Sequence, residues 1–282
     1  MSTIGLGLAL AGVSAVASSS AHALLKSSSD QYAVQAWSSL LGLALALPFL
    51  FWVGLPERAL WVWLFSGWLL HTLYYLVLVW SYSTSDYSIA YPIARGIVPI
   101  LTTILGIMFL GESLSPIALS GVVAISIGIF MLGFNRAVSR SGLIAAGLAG
   151  LVNTAFTLVD AKGMRIAADP MTFLVWYYIL DGISMPLITA LRSRGSLLEV
   201  ARTNARIGLS SGVMALFAFL PTLIAFRLAP IGAVSAIRAT SVIFSLLLGG
   251  GMLKERMDAR KISGALLVTL GAVLIIGSAT RA

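Results

Sequence analysis

The sequence predicts an all-α polytopic membrane protein, with ten transmembrane helices arranged as two inverted repeats of five helices. Hydrophobic residues make up 59% of the 282 positions and charged residues only 10%, and the mean hydropathy is +0.99. Long apolar runs recur along the whole chain, and the second half repeats the spacing of selected residues in the first. This composition excludes an ordinary soluble globular domain.

Apolar runs long enough to cross a bilayer occur throughout the chain. A helix needs about 20 apolar residues to span about 30 Å of hydrocarbon. The first run has no basic segment before it, so we expect a retained helix rather than a signal peptide. Most connectors are short, and the longest, RSRGSLLEVARTNAR, separates the seventh and eighth runs. The predicted spans are 3–24, 33–53, 60–83, 88–110, 115–134, 142–162, 171–191, 207–228, 231–252 and 261–279.

The two halves of the chain share residues at a constant offset. Arg95 and Arg238 are 143 positions apart. The same offset relates Gly106 to Gly249, Glu112 to Glu255, Ser120 to Ser263, Gly121 to Gly264 and Gly128 to Gly271. An offset near 137 relates the starts of the two halves, which predicts units at 1–136 and 137–282. With five helices per unit, the second unit enters the membrane from the opposite face, as in many secondary transporters.

The repeated segments resemble a known family. YPIARGIVPILTTILGIMFLGESLSPIALSGVVAISIGI is similar to the fourth and fifth helices of EamA-type transporters of the drug/metabolite transporter superfamily. APIGAVSAIRATSVIFSLLLGGGMLKERMDARKISGALLVTLGAVLI resembles the equivalent part of the second unit. The resemblance implies a ten-helix transporter without a cofactor, related to bacterial exporters of amino acids and other metabolites. The superfamily also includes nucleotide-sugar and sugar-phosphate carriers, so the resemblance leaves the substrate open.

Two arginines stand inside apolar spans, Arg95 in the fourth and Arg238 in the ninth. A charge near the bilayer centre costs about 2.5–3.5 kcal/mol on insertion scales, so it faces protein or a water-filled cavity. Inverted repeats direct both side chains towards one central cavity, where a guanidinium suits a carboxylate or phosphate. We predict that both bind substrate; the alternative is a structural role, paired with a carboxylate or helix-end carbonyls.

Asp181 lies near the middle of the seventh span and shares a helical face with Tyr177 and Ser184. An intramembrane carboxylate can carry a coupling proton, or it can serve as the counter-ion of an arginine. Both roles stay open for Asp181, and Tyr177 is a candidate substrate contact.

The sixth span carries a second polar face, formed by Asn153, Thr157 and Asp160. Asn153 is a candidate substrate-binding residue because polar faces of buried helices line water or protein. Asp160 is close in sequence to Lys162 and Arg165, which favours an interfacial position for it.

The third span carries His71, Tyr75 and Tyr82 at helical spacing, and Tyr91 precedes Arg95 by one turn. These rings are candidates for a wall that stacks on a substrate or bonds its polar groups. The alternative is an interfacial or packing role, since tyrosine gathers at membrane interfaces without any ligand.

His22 shares a face of the first helix with Ser14 and Ser18. It is a candidate coupling or counter-ion residue, although a lone histidine also serves as a hydrogen-bonded packing residue. The predicted substrate-binding residues are Arg95, Arg238, Tyr91, His71, Tyr75, Tyr82, Tyr177 and Asn153, and the predicted coupling or counter-ion residues are Asp181 and His22.

Motifs of the common enzyme classes are missing from the sequence. It holds no GxxxxGK[ST] phosphate loop, no HExxH and no cysteine. We therefore predict no enzyme activity, no cofactor and no metal. Glu112 and Glu255 stand at helix ends beside glycines, which favours orientation of the following helix over chemistry.

These observations predict a secondary active transporter that exports small polar metabolites, such as amino acids with aromatic ones among them, by alternating access. The alternative is an organic-anion or phosphonate transporter; a lipophilic-cation exporter or an intramembrane lipid enzyme fits less well. The expected partners are a small-molecule substrate, the lipid bilayer and coupling protons, without nucleic acid, and the expected state is a functional monomer. We expect a multi-pass protein of the bacterial inner membrane, and basic residues in the connectors place both termini outside.

Overall fold

The computed structural model describes residues 2–84, 87–133, 140–193, 197–244 and 259–279, and within these ranges every long regular element is a helix. Helix α9 continues after a turn at Thr240 through residues 241–244. The principal helices are α1 (Thr3–Ser27), α2 (Gln31–Ala46), α3 (Arg58–Thr84), α4 (Tyr87–Leu110), α5 (Pro116–Gly133), α6 (Arg140–Ile166), α7 (Pro170–Arg192), α8 (Leu197–Leu228), α9 (Ile231–Ala239) and α10 (Ala259–Ala279).

Each predicted span coincides with one of these helices, which confirms the all-α fold. Among the described residues, seven helices are long and apolar enough to cross a membrane, and the apolar parts of α5, α9 and α10 are shorter. The end of the ninth predicted span, from residue 245 onwards, lies outside the described residues, as do Gly249 and Glu255.

The second predicted span, 33–53, is not one continuous α-helix. Helix α2 ends at Ala46, and the chain continues as a 3₁₀ turn, Leu47–Phe49, and a short helical turn, Leu50–Val53. Pro48 lies at this break. Proline has no backbone N–H and interrupts the α-helical hydrogen-bond ladder, and hydropathy alone does not register that effect.

The long polar connector before the eighth span is mostly helical. Helix α8 begins at Leu197, about ten residues before the predicted start at residue 207. The segment LEVAR consists largely of good helix formers, so the helix extends beyond its apolar part. The indole nitrogen of Trp37 donates to the Ala201 carbonyl oxygen at 2.9 Å, which ties this polar end to α2.

The helix pairs follow a pseudo-twofold arrangement. In the repeat, α1 corresponds to α6 and α3 corresponds to α8. Helix α1 packs on α8, and the equivalent pair, α6 and α3, is also in contact. Helix α2 packs on its counterpart α7, α4 on α9, and α5 on α10. The first, third and fourth helices of each repeat thus pack around the centre of the bundle, while α5 and α10 form a separate pair.

Four glycines bring α5 and α10 into backbone contact. A Cβ atom built on Gly121 would lie 2.7 Å from the Gly271 carbonyl oxygen, and one on Gly128 would lie 2.7 Å from the Gly264 carbonyl oxygen. Gly121 corresponds to Gly264 and Gly128 to Gly271 in the repeat. Gly121 therefore contacts Gly271, the counterpart of Gly128, and Gly128 contacts Gly264, the counterpart of Gly121. The two helices run antiparallel. This is the self-complementary contact that a twofold axis generates, and it identifies the two repeats as inverted.

Candidate functional site

A cavity lies between helices of both repeats, with walls from α1, α2, α3, α4, α6, α8 and α9. It has about 90 Å³ of space for water-sized molecules, which is room for several waters. We call it the central cavity. Six of the ten predicted site residues line it, namely Arg95, Arg238, His71, Tyr75, Asn153 and His22.

Arg95 is held from the face of α1 that carries Ser18 and His22. Its side chain is buried, and Nη2 donates to Ser18 Oγ at 2.8 Å and to His22 Nε2 at 3.2 Å. A guanidinium only donates, so His22 Nε2 accepts and the imidazole proton lies on Nδ1. Nδ1 then donates to the Tyr82 hydroxyl at 3.1 Å.

Arg238 reaches the same cavity from α9 and is also buried. Its Nε donates to Ser14 Oγ at 3.1 Å, and Ser14 contacts Thr222 Oγ1 at 2.7 Å on α8. Ser14 and Ser18 are one helical turn apart, so α1 supports the guanidinium groups of both repeats with neutral hydroxyls.

Asp160 is fully buried and paired with His71. His71 Nε2 donates to Asp160 Oδ2 at 2.9 Å, and the Tyr177 hydroxyl lies 2.9 Å from His71 Nδ1. The prediction that Asp160 is interfacial is therefore wrong. Its basic neighbours in sequence lie further along α6, whereas Asp160 faces α3 across the helix pair.

Asp181 lies beside a smaller cavity that adjoins the central one. Its Oδ2 accepts a hydrogen bond from Ser39 Oγ at 3.1 Å. Gln35, Tyr75 and Phe219 line both cavities, so the two spaces share walls. We call this second space, lined also by Ser38, Ser39, Tyr177, Tyr178 and Asp181, the Asp181 cavity.

Three predicted substrate contacts stand behind the central cavity instead of lining it. Tyr82 bonds His22, and Tyr177 bonds His71 while also lining the Asp181 cavity. Tyr91 lies under Arg95, with the guanidinium carbon 5.2 Å from its ring centroid, and its hydroxyl is 2.7 Å from Ser241 Oγ. These tyrosines orient the residues that face the cavity.

Sequence reasoning missed several lining residues, among them Gln35, Phe156, Ser211 and Phe219. Gln35 is a lone amide near the start of an apolar span, and that isolation is a signal that could have identified it. Phe156 and Phe219 give no such signal, because a phenylalanine in a membrane helix is equally compatible with lipid or core. Their positions depend on helix packing.

Glu112 joins the end of α4 to the start of α9. Gly111, at φ +64°, ends α4 in the left-handed region that favours glycine. Both Glu112 carboxylate oxygens then accept from the Ile231 backbone N–H at 3.0 Å, at the N-terminus of α9, and Oε1 forms an ion pair with Arg165. An anion at a helix N-terminus is favourable. This position agrees with an orienting role.

Arg165 of α6 binds carbonyl oxygens at the end of α8, and Arg227 of α8 binds carbonyl oxygens at the end of α6. Arg165, on α6, donates to the Phe226 carbonyl oxygen at 2.9 Å and to the Ala229 carbonyl oxygen at 3.1 Å. Arg227, on α8, donates to the carbonyl oxygens of Met164 at 2.8 Å and Ala167 at 2.9 Å. Together with Glu112 these arginines form a polar clamp at one end of the bundle.

The chain is thus a duplicated bundle of apolar helices of membrane-spanning character that encloses a buried cavity with two arginines in its wall. A family model, the EamA-like transporter family, matches residues 2–134 and again residues 140–277. The chain therefore belongs to the EamA-like transporter family, whose members transport small molecules. A solved crystal structure shares its fold with a TM-score of 0.71, at 17% sequence identity over 97% of this chain and 98% of that one. A search of curated proteins finds no match.

Proposed function

We propose that this protein is a secondary active transporter that exports amino acids, aromatic ones among them, by alternating access around the central cavity. The observation that carries the proposal is the convergence of Arg95 and Arg238, one from each repeat, on one buried space. A guanidinium binds a carboxylate through two parallel hydrogen bonds, which makes the α-carboxylate of an amino acid a suitable ligand.

The walls between the polar groups suit an apolar or aromatic side chain. Tyr74, Tyr75, Phe156 and Phe219 contribute rings to the central cavity. Aromatic rings stack on a substrate ring and exclude water from it. The central cavity has room for several waters only, so admission of an amino acid requires the surrounding helices to separate, as alternating access entails.

An organic anion, such as a dicarboxylate or a phosphonate, is the second candidate substrate. The two guanidiniums favour it by themselves, since they recognise any planar or tetrahedral oxyanion. A lipophilic cation is disfavoured by the same positive charges. Proton coupling, export as the direction, a functional monomer, residence in the bacterial inner membrane and the unit boundaries 1–136 and 137–282 are parts of the proposal.

Substitution of Arg95 or Arg238 by lysine tests the proposal because lysine keeps the charge and loses the planar fork. We expect uptake of a radiolabelled amino acid into proteoliposomes to fall at least about tenfold in each variant, which corresponds to about 1.4 kcal/mol. Arg206→Lys, on an exposed part of α8, is the matched control and should transport normally.

The substrate panel contains neutral and aromatic amino acids, a dicarboxylate, a phosphonate and a lipophilic cation. Uptake of the anions alone would establish the second candidate. Full amino-acid transport by both lysine variants would show that the paired-hydrogen-bond geometry is unnecessary, and uptake of the cation alone would contradict the proposed substrate class.

A further inference from the structure

The Asp181 cavity contains a buried carboxylate whose hydroxyl neighbours include Ser39 and Tyr75. Asp181 is 5% exposed, and its Oδ2 accepts from Ser39. Among the described residues, Oδ1 has no hydrogen-bond partner within 3.5 Å, and neither has the nearby Tyr178 hydroxyl. A buried polar atom without a partner costs about 1–3 kcal/mol, more when it is charged. Such an atom beside an open space is suited to bind a ligand.

The space itself has the size and lining of a site for a small cation. It holds about 30 Å³ for water-sized molecules, which suits an ammonium group or one or two waters. Tyr75, Tyr177, Tyr178 and Phe219 contribute aromatic rings around the carboxylate. Ring faces attract cations, and ammonium groups are recognised by combinations of rings and carboxylates.

The Asp181 cavity adjoins the central cavity at residues of α2, α3 and α8. The serines that support the two arginines lie on a different helix, α1. Gln35, on α2, lines both cavities, and Ser39, one helical turn later, bonds Asp181. One turn of helix advances about 5.4 Å. The arginines are held by Ser14 and Ser18 of α1, whereas Asp181 lies on α7. The Asp181 carboxylate and the two guanidiniums thus line two neighbouring cavities that share Gln35, Tyr75 and Phe219 as wall residues.

We propose that the Asp181 cavity is a monovalent-cation subsite that receives the ammonium group of a zwitterionic substrate while Arg95 and Arg238 hold its carboxylate. This inference rests on the proposed function and names its substrate class, because a site with both poles selects zwitterions over simple anions. Sodium offers the same chemistry from another source, and the test separates the two.

Three compounds of similar shape test the contribution of each charged group to transport. They are L-phenylalanine, 3-phenylpropanoate, which lacks the ammonium group, and 2-phenylethylamine, which lacks the carboxylate. In proteoliposomes of the wild-type chain, we expect phenylalanine uptake to exceed that of either analogue at least about tenfold, as expected for loss of a hydrogen-bonded charge. In Asp181→Asn, uptake of phenylalanine should fall to the level of 3-phenylpropanoate. Glu57→Gln, the same change at an exposed carboxylate, should keep the wild-type preference.

Equal uptake of phenylalanine and 3-phenylpropanoate by the wild type would overturn the subsite but not the proposed role of the arginines. This comparison uses the wild-type protein only, so it does not depend on the folding of a variant. An unchanged preference of Asp181→Asn for phenylalanine over 3-phenylpropanoate would also overturn the subsite. Asparagine keeps the shape of aspartate but carries no negative charge to bind the ammonium group. Transport of none of the three compounds would overturn the proposed function and this inference with it. If replacing sodium by potassium abolishes wild-type uptake and Asp181→Asn removes that dependence, the subsite stands with sodium as its occupant.

Discussion

His71 and Asp160 illustrate how a membrane interior accommodates polar side chains. His71 bonds Asp160 through one ring nitrogen and Tyr177 through the other, and the ring of Phe156 lies 4.1 Å away, centroid to centroid. The pair joins α3, α6 and α7. Removing one member of a buried pair is costly because the other is left without compensation, by about 3–5 kcal/mol.

His71→Phe removes the partner of Asp160 and fits the aromatic surroundings. We expect a clear loss of stability, seen as a lower apparent Tm in tryptophan fluorescence of the purified protein, because a buried carboxylate loses its donor. Adding Asp160→Asn should restore part of the loss, since the neutral amide is cheaper to bury. Ser83→Ala, at the exposed end of α3, serves as the control. An unchanged Tm in His71→Phe would contradict the pairing.

For single residues, the sequence identifies a side chain that is unusual among its neighbours in a span. It does not identify a role that depends on a partner far away in the chain. Arg95 and Arg238 stand out among apolar neighbours, and both line the central cavity. The partner of Asp160 is 89 residues away in the chain. Tyr82 and Tyr91 lie on suitable helices but behind the lining residues, a distinction that depends on helix rotation and depth.

The glycine contact between α5 and α10 is a close backbone approach of two helices that the repeat relates. It depends on the missing Cβ atoms of Gly121, Gly128, Gly264 and Gly271. Without a hydrophobic driving force between helices in lipid, such close packing is a principal source of helix association.

Gly128→Ala places a methyl group 2.7 Å from the Gly264 carbonyl oxygen, so the helices must separate. We expect a destabilisation of about 1–3 kcal/mol, as for other overpacked sites, measured as a lowered apparent Tm. Gly147→Ala is the matched control, because its methyl group meets nothing within 4 Å and alanine favours a helix. Equal Tm values for the two variants would show that the contact is not tight in solution.

Helix existence followed from hydropathy, but helix limits did not. Apolar length in the sequence predicted the ten principal helices of the described residues, since lipid requires satisfied backbone groups. The polar first turns of α8 and the break at Pro48 were missed because the first depends on helix propensity and the second on a lost hydrogen bond. Neither effect changes the average hydropathy of a window.

At the scale of the whole molecule, the polar clamp of Glu112, Arg165 and Arg227 joins parts that must separate if the central cavity is to open at that end. It links the ends of α4, α6 and α8 to the start of α9. At an equivalent place in the other repeat, Lys26 at the end of α1 donates to the carbonyl oxygen of Tyr82 on α3. Among the described residues, an ion pair and several arginine hydrogen bonds hold the clamp end. The contacts at the other end include the bond from Lys26.

Glu112→Gln keeps an acceptor for the Ile231 N–H and loses the ion pair with Arg165. We expect the clamp end to open more often, so that a cysteine placed at Ala215 in the central cavity reacts several-fold faster with a membrane-impermeant maleimide added on that side. The chain has no native cysteine, which gives a clean background. Glu57→Gln controls for the change of charge, and an equal labelling rate would argue against gating by the ion pair.

The self-complementary contact of α5 and α10 has an evolutionary consequence. A surface that binds its own copy across a twofold axis needs only one gene, so a five-helix ancestor inserted in both orientations could dimerise through these glycines before its gene was duplicated and fused. In a fused chain the two copies can differ in sequence. The residues of α6 that correspond to Ser14, Ser18 and His22 at an offset of 137 are Leu151, Ala155 and Val159. The hydroxyl and imidazole groups with which α1 supports the two arginines therefore have no counterpart at these positions of the second copy.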